Sequence, residues 1–117
     1  MGVVRLFAFV VLSVAVAASA GERRTYLSPD KTLSAVVIPV GEGEERRENR
    51  VEIREAGGKL LLAKSFVSRD GEHGYIVSRA AWTPDSRFFV FSVYSSGGHQ
   101  PWNFPTYFYY RADRKLS

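Results

Sequence analysis

The segment 95–105, SSGGHQPWNFP, is the most unusual stretch of the chain because it gathers several kinds of ligand-binding side chain. A Gly-Gly pair gives its backbone freedom, and an imidazole, two amides and two large aromatic rings follow. Such groups on a loop of a rigid scaffold would suit a carbohydrate or peptide ligand. The candidate ligand-binding residues are His99, Gln100, Trp102, Asn103 and Phe104. In the alternative interpretation, Trp102 and Phe104 fold back to cover the edge of a sheet.

Two other groups of polar residues are candidates for metal sites. The only histidines, His73 and His99, have no third ligand at a recognisable spacing. Asp70 and Glu72 flank a glycine in the segment SRDGEHG, but their spacing lacks the pattern of a calcium-binding loop. We therefore expect polar loop residues here, and the sequence predicts neither a metal nor a cofactor.

The sequence contains no common catalytic motif. There is no G-x-S-x-G elbow, no H-E-x-x-H pair and no phosphate-binding glycine loop. The absence of cysteine excludes thiol nucleophiles, disulfides and cysteine-ligated zinc. Ser96, His99 and Asp85 supply the residue types of a hydrolytic triad, but a triad is defined by its geometry. We predict a non-catalytic protein, with a small hydrolase that uses Ser95 or Ser96 with His99 as the less favoured alternative.

Runs of β-branched and aromatic residues separated by turn residues predict strands throughout, and no segment has a helical period. The predicted strands lie at 32–40, 50–55, 60–67, 75–83, 87–94 and 106–111. The pair Gly57-Gly58 predicts a hairpin turn. The mixed charges of segment 41–49 predict a solvated loop. Strand 87–94 is apolar on both faces, and we therefore expect it to lie between two layers.

A short motif occurs twice, at an offset of 55 residues. The two copies are Ser28-Pro29-Asp30 and Thr83-Pro84-Asp85. Each copy follows a bulky residue, Leu27 or Trp82, and each precedes an apolar strand. Proline presets the backbone of a turn, and the Asp side chain can accept hydrogen bonds from amides beyond it. We expect two equivalent turns.

The run 82–92, WTPDSRFFVFS, resembles the W-S-P-D-G signature of WD40-like (PD40) β-propeller repeats of the TolB type, which many exported bacterial proteins contain. In that family each blade is a four-stranded antiparallel sheet, and this turn joins its first strand to its second. The resemblance implies an all-β fold with one complete blade over 25–67 and the first three strands of another over 75–112. A small β-sandwich is the alternative. Lys31 and Ser86 stand where the family prefers glycine.

A propeller needs about 4–8 blades to close. The resemblance therefore implies either a chain truncated at its C-terminus or two sheets that pack as a small sandwich, with a partner. The implied function is that of a non-catalytic binding or scaffold module for a protein, peptide or carbohydrate, with oligomerisation or additional blades as further expectations. The alternative is a fragment of a larger propeller associated with a hydrolase or a transport assembly.

Residues 1–20 have the three-part pattern of a secretory signal peptide, with a basic start, an apolar run over 6–17 and the small residues Ala18-Ser19-Ala20. That run is shorter than the roughly 20 apolar residues of a membrane-spanning helix. We predict cleavage after Ala20, a mature chain of 21–117 without a membrane anchor, and export to the periplasm or the medium. The 117-residue chain has a formal charge of +4 without a basic stripe, so a nucleic-acid partner is not expected.

Overall fold

The computed structural model describes residues 22–41, 48–98 and 102–117, and the regular structure within these ranges is entirely β-strand. The strands are β1 (Arg24–Leu27), β2 (Leu33–Val40), β3 (Glu48–Glu55), β4 (Leu60–Ser65), β5 (Tyr75–Trp82), β6 (Phe88–Ser95), β7 (Thr106–Tyr110) and β8 (Lys115–Leu116). The predicted all-β fold class is confirmed. The predicted signal peptide, residues 1–20, lies outside the described residues.

The strands form two four-stranded antiparallel sheets, in the orders β1-β2-β3-β4 and β5-β6-β7-β8. Each strand pairs with its neighbour in the chain, so short turns suffice to connect most of them. The predicted glycine turn joins β3 to β4. Gly58 has a φ of 109° there, which glycine adopts without the steric cost of a Cβ atom, and its N–H donates to the carbonyl of Glu55 at 2.8 Å.

The two sheets share one hydrophobic core, which lies between their facing surfaces. Its buried members are Leu33, Ala35, Val37, Val51, Ile53, Phe66, Val77, Phe89, Phe91, Val93 and Tyr109. Every second residue of a strand points to the same side of the sheet. The alternating side chains of β3 follow this rule: Val51 and Ile53 are each 1% exposed. Trp82 joins the sheets by donating its indole N–H to the carbonyl of Tyr26 at 2.8 Å.

The two Pro-Asp turns have the same internal hydrogen bonds, as their sequences predict. The first turn joins β1 to β2 and the second joins β5 to β6. In both, the hydroxyl group donates to the carboxylate two residues later at 2.7 Å, from Ser28 to Asp30 and from Thr83 to Asp85. Each hydroxyl lowers the pKa of its carboxyl group, because the hydrogen bond favours the ionised form.

The two turns also contact each other, and neither has a glycine at its fourth position. Lys31 and Ser86 occupy that position with a φ of 65° each, in the left-handed region that favours glycine. The Ser86 hydroxyl accepts a hydrogen bond from the backbone N–H of Asp30 at 2.9 Å. Arg111, which follows β7, donates to the Asp30 carboxylate at 2.7 Å and to the Thr32 hydroxyl at 2.8 Å. The turn of the first sheet is therefore held by two groups of the second.

Two expectations about the second sheet need correction. The resemblance implies three strands over 75–112, but a fourth strand, the two-residue β8, pairs with β7. Strand β6 is also not buried on both faces. Its inward side chains, Phe89, Phe91 and Val93, are at most 1% exposed, whereas those of the opposite face are only half-buried. The outward rings pack within their own sheet instead, and Phe88 stacks on Tyr110 of β7 with ring centroids 4.9 Å apart.

Candidate binding surface and its buried support

The loop after β6 presents aromatic side chains to solvent. Trp102 is 78% exposed and Phe104 is 51% exposed. The Phe104 ring contacts the ring of Tyr94, with a centroid distance of 6.3 Å. Trp102 thus stays exposed, while Phe104 packs in part against β6, which is an inner strand of its sheet. The remaining candidates are Asn103, which is exposed, and His99 and Gln100, which lie outside the described residues.

Both ends of this loop are attached to buried structure. At its start, Ser96 is 3% exposed, and its N–H donates to the carbonyl of Gly74 at 3.0 Å. At its end, the carbonyl of Pro105 accepts a hydrogen bond from the N–H of Val93 in β6 at 3.0 Å. The exposed aromatic rings are therefore carried by a loop whose base is fixed.

A buried carboxylate supports the start of the loop. Glu48, the first residue of β3, is 2% exposed. Its Oε2 atom accepts hydrogen bonds from the Ser96 hydroxyl and the Gly74 N–H, both at 2.6 Å. Its Oε1 atom accepts from the N–H of Ser68 at 2.6 Å and from the hydroxyl of the same residue at 3.0 Å. Through these hydrogen bonds, the Glu48 carboxylate connects β3, the β4–β5 connection and the loop after β6.

Hydrogen bonding keeps Glu48 ionised in spite of its burial. Burial raises the pKa of a carboxyl group, but the hydrogen bonds from Ser96, Ser68 and Gly74 outweigh it and lower the Glu48 pKa below its ordinary value of 4.5. The close approach also requires a glycine at position 74. A Cβ atom there would lie 2.6 Å from the Glu48 carboxylate and would overlap the carbonyl oxygen of Phe66.

The predicted solvated loop over 41–49 is wrong for its last two residues. Glu48 and Asn49 belong to β3 and are buried, and the Asn49 Oδ1 atom accepts the N–H of Val77 at 2.7 Å. Polar groups are buried where hydrogen bonds replace those to water. The donors to these two side chains lie 20 to 48 residues away in the chain. A run of mixed charges carries no local sign of such distant partners.

The structure does not bring Ser96 and Asp85 together. They lie near opposite ends of β6, and Asp85 accepts a hydrogen bond from Thr83 in its own turn. The Ser96 hydroxyl is buried and donates to Glu48, so this hydroxyl has a structural role. The expectation that the protein is not an enzyme stays a prediction.

The carboxylate of Asp70 is engaged within its own loop. Its Oδ1 atom accepts the N–H of Glu72 at 2.9 Å, and its Oδ2 atom lies 2.7 Å from the Nδ1 atom of His73. The Glu72 N–H and then the His73 side chain lower the Asp70 pKa, although the loop is exposed. Over residues 22–41, 48–98 and 102–117, no group of three or more His, Asp or Glu side chains is arranged to hold a metal ion.

A search of the described part of the chain for an apolar helix of membrane-spanning length finds none. Comparisons of the chain with protein-family models, with curated proteins and with solved structures gave no match.

Proposed function

We propose that this protein is an exported, non-catalytic binding or scaffold module built like blades of the PD40 type. Two observations support the blade-like organisation. Each sheet is a four-stranded antiparallel meander, and in each sheet a Pro-Asp turn joins the first strand to the second. Export is supported by the pattern of residues 1–20 alone.

The observation that carries the binding function is the exposure of Trp102 on a loop with a fixed base. An indole side chain that is 78% exposed leaves a large apolar surface in water, and burying it against a ligand would be favourable. Tryptophan is also among the residues that contribute most to binding interfaces. Phe104 and Asn103 lie beside it in the chain and would add a second ring and an amide group.

The ligand class that fits these groups is a carbohydrate or an extended peptide segment of a protein. A flat indole face stacks on a sugar ring or on an apolar side chain, while an amide group hydrogen-bonds to hydroxyl or backbone groups. Because the loop is attached at Ser96 and Pro105, binding requires little ordering of its base.

The test compares the chain with its Trp102→Ala variant on a glycan array and on a random peptide library, followed by calorimetry of each hit. We expect Trp102→Ala to change the free energy of unfolding by less than about 0.5 kcal/mol, because the side chain is exposed. The same change should abolish binding. Val67→Ala is the matched control, since Val67 is an exposed apolar residue outside the loop. Binding that survives Trp102→Ala would exclude this loop as the contact surface.

A further inference from the structure

The two sheets are structural repeats of each other, with the 55-residue offset maintained beyond the turns. Strands β2 and β6 have equivalent bounds, β1 and β5 end at equivalent residues, and β4 and β8 begin at equivalent residues. The cross-strand pairs agree as well. Ala35 pairs with Ile53 in the first sheet, and the equivalent residues Val90 and Phe108 pair in the second. The paired positions of β2 and β3 therefore have defined counterparts in β6 and β7.

The sheets contact each other through opposite faces of this repeat. In the first sheet, the face that contains Ala35 and Ile53 is buried in the shared core, at 0% and 1% exposure. In the second sheet the equivalent face, with Val90 and Phe108, points away from the core, and Phe108 is 47% exposed. Such a contact is heterologous, which means that the two sheets use different faces of the repeat. One face of each sheet therefore lies outside the contact between them.

The unused face of the second sheet is largely apolar. We call it the outer face of the second sheet. Its apolar members are Ala81, Phe88, Val90, Phe108 and Tyr110, and Arg79, Ser92 and Thr106 lie on the same face. In the first sheet the equivalent face is covered by an aromatic surface that the second sheet provides. That surface includes Trp82, Phe89, Phe91, Tyr107 and Tyr109. The contacts of the covered face therefore indicate which kind of surface would pack against the outer face.

A second copy of this chain lacks a suitable surface. In the first sheet, the positions equivalent to Tyr107 and Tyr109 are Glu52 and Arg54, which form an ion pair at 2.8 Å. Arg50 binds the same carboxylate at 2.8 Å. The Glu52 side chain is already only 8% exposed, but those of Arg50 and Arg54 are 39% and 34% exposed, and removing their charges from water against an apolar face would be unfavourable. The aromatic surface of the second sheet, in turn, is already buried against the first.

The turns indicate one charged feature of the partner. The Asp30 carboxylate accepts a hydrogen bond from Arg111 of the neighbouring sheet, and its side chain is 43% exposed. The equivalent residue, Asp85, is 59% exposed in its side chain, and Arg87 of its own turn is 3.8 Å away. A sheet that docks on the outer face in the same manner would place a basic side chain next to Asp85.

We propose that the outer face of the second sheet is the docking surface for a partner protein that presents an antiparallel β-sheet. The contacting face of that sheet is aromatic, and a basic residue in its turn pairs with Asp85. This inference is independent of the Trp102 loop, so the two proposals fail separately.

The test extends the chain after Ser117 with a second copy of residues 63–117, which supplies the proposed type of sheet in the 55-residue register. The Phe108→Asp substitution is then made in the original unit of the extended chain and in the unextended chain, and urea unfolding is measured for each. We expect Phe108→Asp to raise the unfolding equilibrium constant at least about tenfold more in the extended chain, because only there is the ring buried. Thr25→Asp, at an exposed position of the first sheet, should have the same effect in both chains.

Equal effects of Phe108→Asp in the two chains would overturn the proposal. A second variant tests it without the extension. The double substitution Glu52→Tyr with Arg54→Tyr gives the first sheet the aromatic residues of the docking sheet, so this variant should associate head-to-tail in light scattering, and Phe108→Asp should abolish the association. A variant that stays monomeric contradicts the proposal. A discrete dimer of the unmodified chain that Phe108→Asp abolishes would assign the face to a second copy instead.

Discussion

Replacing Gly74 with alanine adds a single methyl group at the point where three segments meet at Glu48. The added Cβ atom would lie 2.6 Å from the carboxylate and would overlap the Phe66 carbonyl oxygen, so the backbone or the carboxylate must move. The hydrogen bonds that the carboxylate accepts from the Gly74 N–H and the Ser96 hydroxyl are both 2.6 Å long in the structure, and this movement would distort them. Hydrogen bonds to charged groups contribute about 1.5–3 kcal/mol each. Allowing for partial rearrangement, we expect a destabilisation of about 3 kcal/mol.

Urea unfolding followed by circular dichroism measures this effect. Gly57→Ala is the matched control, because a Cβ atom at Gly57 meets nothing within 4 Å and its φ is not in the left-handed region. A loss of about 3 kcal/mol should lower the thermal midpoint by more than about 12 °C in a domain of this size. If Gly74→Ala and Gly57→Ala agree within about 0.5 kcal/mol, the close contact with Glu48 does not limit the fold, and the reasoning is wrong.

Three further predictions concern the buried charge and the two turns. The native pKa of Glu48 is lowered, so its stabilising effect is present above the ordinary value of 4.5 and is lost as the pH falls through the native value. Between about pH 6 and pH 3, the free energy of unfolding should therefore fall less in the Glu48→Gln variant than in the unsubstituted chain, as measured by urea titrations. An unchanged pH dependence would contradict this prediction. Lys31→Gly should raise the free energy of unfolding by about 0.5–1 kcal/mol, because it relieves a φ of 65°. Ser86→Gly should gain less in the same assay, since it also removes the acceptor of the Asp30 N–H, and equal gains would argue against that contact.

Local sequence patterns were sufficient to predict most of the strands. Polar-apolar alternation located β3, because burial on one face of a strand imposes a period of two, and apolar runs rich in β-branched or aromatic residues located β2 and β6, each strand to within two residues of its ends. Proline and aspartate located the two turns, since their conformational preferences act over only four residues. The short strand β8 was missed because Lys115 and Leu116 carry no pattern that distinguishes a strand from a chain end.

The candidate site, too, was only partly predictable from the sequence. Trp102 and Phe104 were selected for their residue types, and both are exposed in the structure. Glu48 was missed, because nothing in a cluster of charged residues indicates that one member will be buried. Its burial depends on donors from Ser68, Gly74 and Ser96, which only the folded chain brings to one point.

The sequence by itself determined the all-β class and the two equivalent Pro-Asp turns. These features depend on local preferences and on side-chain chemistry. Only the tertiary structure decided which face of each sheet is buried. Both faces of β6 are apolar, so its own pattern is compatible with either orientation. The packing of the second sheet against the first, with β5 next to β1 and β3, places Phe89 and Phe91 in the core and leaves the outer face of the second sheet half-exposed, because each sheet can bury only one face against the other.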